Sequence, residues 1–254
     1  MDYILEEPLI LFVLSILTLS LAVVIGALFR KGRVLEKDMH ENYRVILAAT
    51  LTLLALIIGF SFSMATNRYD QRKNYEEAEA NAIGTEYVRA GLLPATDAER
   101  LHVLLGKYLD QRILFYTTRD RQQLAQINDF TAQLQMEMWS IVENSARTKQ
   151  TPTNALVASG MNDVLNSQGY TQAAWWNRIP VAAWLLMATM AICCSLLIGY
   201  GMRNMKTERI LLPILPIVVS IAFFLIADID SPRGGVIRVH PHNLVSLSES
   251  LLAH

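Results

Sequence analysis

Residues 45–65 read VILAATLTLLALIIGFSFSMA, and residues 66–93 follow as TNRYDQRKNYEEAEANAIGTEYVRAGLL. The first stretch carries no charged side chain. A bilayer core about 30 Å thick needs roughly 20 apolar residues of helix to cross it, so this stretch is long enough to span. Nothing in the sequence stops a helix at Ala65. The helical pattern runs on through Asn67, Arg68, Tyr69 and Asp70 to about Leu93, where Gly91 and Pro94 end it. The expectation is one long helix that leaves the membrane and continues in water.

Three more runs of the same kind lie on either side, at residues 8–29, 179–202 and 210–227, and none contains a charged side chain. The first is too long for a cleaved signal, follows an acidic start and precedes basic residues, so it reads as a retained span. Trp175, Trp176 and Trp184 mark the start of the third, where aromatic side chains sit at a membrane interface. Pro213 and Pro216 fall in the first turns of the fourth, where they disturb few backbone bonds. The 254-residue chain is 52% hydrophobic with a mean hydropathy of +0.28, and its apolar residues are bunched into these runs. The fold class is therefore all-α, with four transmembrane helices and a helical soluble domain between the second and third. Residues 1–65 hold spans one and two (8–29 and 45–65), and residues 66–178 form the soluble domain. Residues 179–254 hold spans three and four (179–202 and 210–227) and a C-terminal tail.

Within residues 66–178, Thr96-Asp97-Ala98-Glu99 reads as a capping box. The helix behind it has Leu101, Leu104, Leu105, Tyr108 and Leu109 on one face. A second helix carries Leu124, Ile127, Phe130, Leu134, Met138 and Ile141. Thr151-Pro152 opens a third, with Leu156, Val157, Met161, Val164 and Leu165. These stripes are packing surfaces. The insert has 12 Lys or Arg against 13 Asp or Glu, so its net charge gives no ionic preference. The whole chain carries a net charge of -1, which excludes a general affinity for nucleic acid.

An even number of spans puts the N-terminus, the insert and the C-terminus on one side. The short connections carry Arg30, Lys31, Arg33, Lys37, Arg44, Arg203, Lys206 and Arg209. The opposing flanks carry Arg68, Arg72, Lys73, Arg178, Arg233 and Arg238. The positive-inside tendency thus puts the insert and both termini outside, by a narrow margin.

No phosphate loop, nucleophile elbow or His-Glu-x-x-His is present, so the chain does not read as an enzyme and calls for no cofactor. His240-Pro241-His242 lacks a third ligand, and the adjacent Cys193 and Cys194 are too few for a metal cluster. Glu76, Glu79 and Glu86 share a face of the long helix. Such carboxylates can do acid–base work or hold a cation, but a charged face paired with Arg or Lys of a neighbouring helix is the simpler account.

The stretch Gly59-Phe60-Ser61-Phe62-Ser63-Met64-Ala65-Thr66-Asn67-Arg68-Tyr69-Asp70-Gln71-Arg72, leading into Glu79, Asn81 and Gly84, resembles a bacterial bestrophin-like membrane family. So does the tail from Asp228 and Asp230 through Pro232 and Gly234 to Val239. True bestrophins are more distant. They carry a Gly-Phe pair on the second span and an Arg-aromatic pair nine residues after the Gly, as Gly59-Phe60 and Arg68-Tyr69 do here. The resemblance implies a pentamer around an axial pore that passes small anions, with the insert cytoplasmic. It also implies a narrow neck at Thr52, Leu56 and Phe60. Steps of four keep three side chains near one face, and a ring of such faces makes a hydrophobic constriction. Thr52 departs from the apolar pattern. The calcium-binding acidic cluster of eukaryotic bestrophins is reduced to Asp228 and Asp230, so calcium gating is not expected. The expected place is the bacterial inner membrane, with the cytoplasmic side narrowly preferred for the insert. The expected partners are lipid, copies of the same chain and small ions. Two other readings stay open: a non-conducting scaffold or sensor whose helical insert binds a partner or ligand, and an ion-driven motor subunit. The second lacks a charged residue in any span.

Overall fold

The computed structural model describes residues 7–30, 37–202 and 212–253, and the side chains of residues 37–40 are left aside. Among the described residues every regular element is an α-helix. They are α1 (Pro8–Arg30), α2 (Lys37–Ala90), α3 (Ala95–Thr117), α4 (Arg121–Thr148), α5 (Pro152–Trp176), α6 (Val181–Gly201), α7 (Ile214–Asp230) and α8 (His242–Leu252). The long helix is 54 residues, starting eight residues before Val45, and it ends at Ala90 beside Gly91. The chain divides into two compact units, one of residues 1–69 and 178–238, the other of residues 70–177 and 239–254.

In the first unit α1 packs on α6 and α7, and α6 on α7. Its core gathers Leu19 of α1, Leu54 and Ala65 of α2, Trp184, Met187 and Ala191 of α6, and Val219 and Phe223 of α7. Many large apolar side chains face outward from this unit. Leu17 and Leu21 of α1, Leu185 of α6 and Val218 of α7 are all more than half exposed. In water such a surface would be unstable as a monomer, whereas in lipid it costs nothing. Three helical stretches, Pro8–Arg30, Glu41–Ala90 and Pro152–Gly201, contain a segment long and apolar enough to cross a membrane. The fourth expected span was placed at 210–227. Its helix begins only at Ile214 because Pro213 occupies the N-cap, and it runs on to Asp230. Ile210 and Leu211 lie outside the described residues.

The α1–α6 contact depends on two glycines. A Cβ on Gly26 would meet the backbone carbonyl of Leu196, and one on Gly199 would meet the carbonyl of Val23. Each bare Cα accepts the other helix's backbone, the small-residue packing by which helices associate in lipid.

In the second unit α3 packs on α4, α4 on α5 and α3 on α8. The expected stripes on α3, α4 and α5 supply most of this core. Phe130 and Leu156 are exceptions, since both are more than a third exposed. On α4 the buried seam runs Ile127, Thr131, Leu134, Met138, Ile141 and Ser145, so a threonine takes the place next to Phe130. The capping box at Thr96 does not form. Pro94 fixes the entry angle and serves as N-cap without a side-chain bond, which puts Thr96 inside the first turn. Thr151 does cap α5, accepting from the Asn154 N–H, with Pro152 behind it.

Substituting Val at Gly26 or Gly199 is expected to destabilise the first unit by about 1–3 kcal/mol or more, because the obstacle is backbone that cannot rotate away. Gly59, where a Cβ meets nothing within 4 Å, is the comparator. Thermal unfolding in detergent should show a lowered Tm for the first two changes and little loss for Gly59→Ala.

Candidate functional site

The residues singled out in the sequence fall in three places. The first is the apolar half of α2. Thr52, Leu56 and Phe60 are exposed in this chain, Leu56 at 53% and Phe60 at 63%. They lie off the side of α2 that carries Leu54, Ser61 and Ala65 into the core. Thr52 spends its hydroxyl within the helix, donating to the Ala48 carbonyl at 2.9 Å. Its departure from an apolar pattern is thereby reduced, since the only polar hydrogen at this level is already used. Gly59 lies on the open side, and an apolar groove of about 420 Å³ runs between α2 at Leu51, Ala55 and Gly59 and α7 at Leu215, Val218 and Ala222. Further along, Tyr69 packs on the core of this unit, and Arg68 is half-buried with Nε and Nη1 lacking acceptors.

The second place is the charged, C-terminal half of α2. Asp70 and Asn81 are exposed, but Arg72, Glu76, Glu79 and Glu86 are each 2% exposed or less. They share a seam with Ile83 and Ala90, both at 0%. Glu79 meets Arg112 of α3, with Nε donating to Oε1 at 2.5 Å. Its Oε2 accepts from the Tyr116 hydroxyl and the Thr171 hydroxyl, each at 3.2 Å. The Arg112 guanidinium sits 4.4 Å above the Phe115 ring, and Phe115 and Tyr116 both pack edge-on against Trp175. One carboxylate therefore joins α2, α3 and α5. Burial, the largest single influence, pushes the Arg112 pKa down, but the Glu79 charge and hydrogen bond together with the Tyr108 and Tyr116 phenols hold the guanidinium above its ordinary value. Burial, and after it the Glu79 charge, push the Tyr108 and Tyr116 phenols up. Both stay protonated at physiological pH; Tyr116 donates to Glu79, and the Tyr108 hydroxyl accepts from Gln135.

Glu76 has a different task. Its Oε1 accepts from the backbone N–H groups of Asn243 and Leu244 at 2.9 and 3.0 Å, and its Oε2 from Asn243 Nδ2 at 2.6 Å. These N–H groups begin α8, so a buried carboxylate of α2 closes the positive end of the C-terminal helix. Gly84, one turn beyond Asn81, leaves room for Leu247 of that helix, which a Cβ would meet at 3.1 Å.

The third place is the turn after α7. Asp228 accepts from the backbone N–H of Val236 and of Ile237, both at 2.8 Å. Asp230 accepts from the Ile179 N–H at 3.1 Å and faces Arg178 at 3.7 Å. Pro232 lies in the turn, and Gly234 donates its N–H to the Ser231 hydroxyl at 3.1 Å. Gly235 has no room for a Cβ beside Asp228. Asp228 thus fixes backbone, and Asp230 both fixes backbone and pairs with Arg178.

The structure gathers Thr52, Leu56 and Phe60 on one exposed strip and sets Asp228, Asp230 and Gly234 in one turn. Asn81 stays exposed on α2, whereas Glu79 is buried. The sequence reading singled out neither Arg112 nor Thr171, and Tyr116 was equally unmarked. One signal was present: Glu76, Glu79 and Glu86 recur at the same three- and four-residue steps as Ile83 and Ala90, the spacing of a buried seam.

Truncating Arg112 to Ala would leave Glu79 charged and unpaired in a dry interior. The expected cost is about 3–5 kcal/mol. The combined change Glu79→Gln with Arg112→Met removes both charges and is expected to recover most of that loss. Denaturant midpoints of the two variants check the difference.

A family model for the bestrophin-like domain matches residues 12–244. Among curated proteins no sequence relative is found. Among solved structures, a bestrophin homolog from Klebsiella pneumoniae matches with a TM-score of 0.67 at 14% identity, over 96% of this chain and 97% of that one. A variant of that homolog matches equally well, at a TM-score of 0.67 over 95% and 98% of the two chains and 14% identity. A further membrane protein structure matches with a TM-score of 0.68 at 13% identity, over 97% and 98%. The matched region takes in the apolar strip of α2, the buried glutamates and the turn at Asp228, and the chain belongs to the bestrophin-like family of membrane proteins.

Proposed function

We propose that the protein is a homo-oligomeric ion channel in which copies of α2 surround a pore and Thr52, Leu56 and Phe60 form its neck. The observation that carries this reading is the exposed strip itself. Leu56 and Phe60 lie on a continuous helix, are apolar, stand four residues apart, and are each more than half exposed. A ring of such strips makes a constriction that opens and closes by wetting. The assembly is a pentamer, as the resemblance to bestrophins implies, with four spans per subunit and the insert of residues 66–178 on the cytoplasmic side of the cell membrane. The permeant species are small anions, a preference that rests on the same resemblance. Calcium has no part in the reading, because Asp228 and Asp230 already hold backbone N–H groups.

The purified protein in a planar bilayer under a KCl gradient is expected to carry current reversing near the chloride potential. The double change Leu56→Ala, Phe60→Ala is expected to raise single-channel conductance by widening the neck. Reversal near the potassium potential keeps the channel and overturns the anion preference. Unchanged conductance in the double variant overturns the neck. Silence from folded, assembled protein favours the scaffold or sensor, whose insert binds a partner.

A further inference from the structure

Glu86 is the third buried glutamate of α2, and it differs from the other two. Its side chain is 0% exposed, yet neither carboxylate oxygen accepts a hydrogen bond. A buried polar group without a partner is rare, and an ionised one is strongly disfavoured. The surroundings are specific. The carboxylate lies directly against the bare Cα of Gly160 on α5, as does the guanidinium of Arg89. A Cβ at position 160 would collide with both. Arg89 is one turn further along α2 and reaches Asp163 of α5 at 4.0 Å. The two ends of that pair are 27% and 61% exposed, so its hold on Arg89 is weak.

The charged groups acting on Glu86 are these two, Arg89 from its own helix and Asp163 from α5. His102 of α3 is engaged elsewhere, stacked on Tyr87 at 4.2 Å with Nε2 at 2.8 Å from the Tyr87 carbonyl. From α8, Leu247 faces Gly84. One cation therefore stands between two carboxylates, one buried and one in water.

We propose that Glu86, Arg89 and Asp163 form a proton-operated latch between α2 and α5. With its proton, Glu86 is a neutral group closed against Gly160, and Arg89 belongs to Asp163. When the proton leaves to solvent, the buried charge draws Arg89 away from Asp163, and the α2–α5 contact at Gly160 rearranges. Burial pushes the Glu86 pKa up to about 8, with Arg89 opposing and Asp163 adding to the rise, so the change falls at the alkaline edge of the physiological range. The sign follows from linkage. The folded value lies above the ordinary one, so the stabilising contribution is whole below about 4.5 and is lost as pH rises to about 8.

The test uses the full chain in lipid nanodiscs, followed by infrared difference spectroscopy and hydrogen exchange across the neutral to alkaline range. A protonated-carboxyl band is expected to disappear with a midpoint near pH 8. Exchange around Gly160, corrected for its intrinsic pH dependence, is expected to rise several-fold over the same interval. E86Q keeps the shape of the protonated form, so it should lack the band and show flat corrected exchange. D163N leaves Glu86 in place, and it should move the midpoint to lower pH by freeing Arg89. The proposal is overturned if E86Q keeps the band, if corrected exchange in the wild type is as flat as in E86Q, or if D163N leaves the midpoint unmoved. D163N alters an exposed side chain, so it keeps the test decisive should E86Q fold poorly.

Discussion

The second unit depends on one ion pair, Glu79 with Arg112, in which both side chains have no solvent exposure. Removing two such charges from water costs several kcal/mol each, and attraction repays it only with good geometry and further hydrogen bonds. Here the repayment is complete on the carboxylate. Arg112 supplies two bonds, a short one from Nε and a long one of 3.5 Å from Nη2, and the hydroxyls of Tyr116 and Thr171 supply two more. The guanidinium is not satisfied as fully, since Nη1 has no acceptor and the face rests on Phe115. Because the donors come from α3 and α5, the pair fixes the rotation of three helices at once. An apolar layer at that level could be as stable, but it would not define register so sharply.

The seam around it shows how one helix uses the same residue type for three purposes. Glu79 makes an ion pair, Glu76 closes the N-terminus of α8, and Glu86 lies against glycine without a hydrogen bond. All three belong to a helix whose membrane-length half has no ionisable side chain at all. Each difference comes from what the facing element offers: a guanidinium, a row of free N–H groups, or a bare Cα. Glycine acts similarly where α1 meets α6. There, Gly26 and Gly199 admit each other's neighbouring backbone, and close approach replaces the hydrophobic driving force that lipid cannot supply. After α7, Asp228 and Asp230 are likewise structural, holding backbone N–H groups and, for Asp230, the Arg178 guanidinium as well.

Much of the architecture was legible in the sequence because it depends on local properties. Uncharged runs of sufficient length mark helices that can cross a bilayer, and the positions of Gly91, Pro94, Thr151 and Pro152 mark ends and starts. One error was also local: Thr96 looked like a cap, but Pro94 takes that role. Phe130 and Leu156 fit a loose stripe but fall just outside the buried arc. The strip of Thr52, Leu56 and Phe60 was readable as a helical face, and its exposure in the folded chain follows from the opposite face filling the core.

What the sequence determined by itself was the set of helices and the solvent each can tolerate, because hydrogen-bond periodicity and transfer free energy act residue by residue. What only the tertiary structure decided was the fate of the charges. Glu76, Glu79 and Glu86 look alike along the chain, and a carboxylate's behaviour is set by groups within a few ångströms that lie far away in sequence. Arg112 is 33 residues from Glu79, Thr171 is 92, and Asn243 is 167 from Glu76. The fold joins those positions, and only then do three similar residues acquire three different roles.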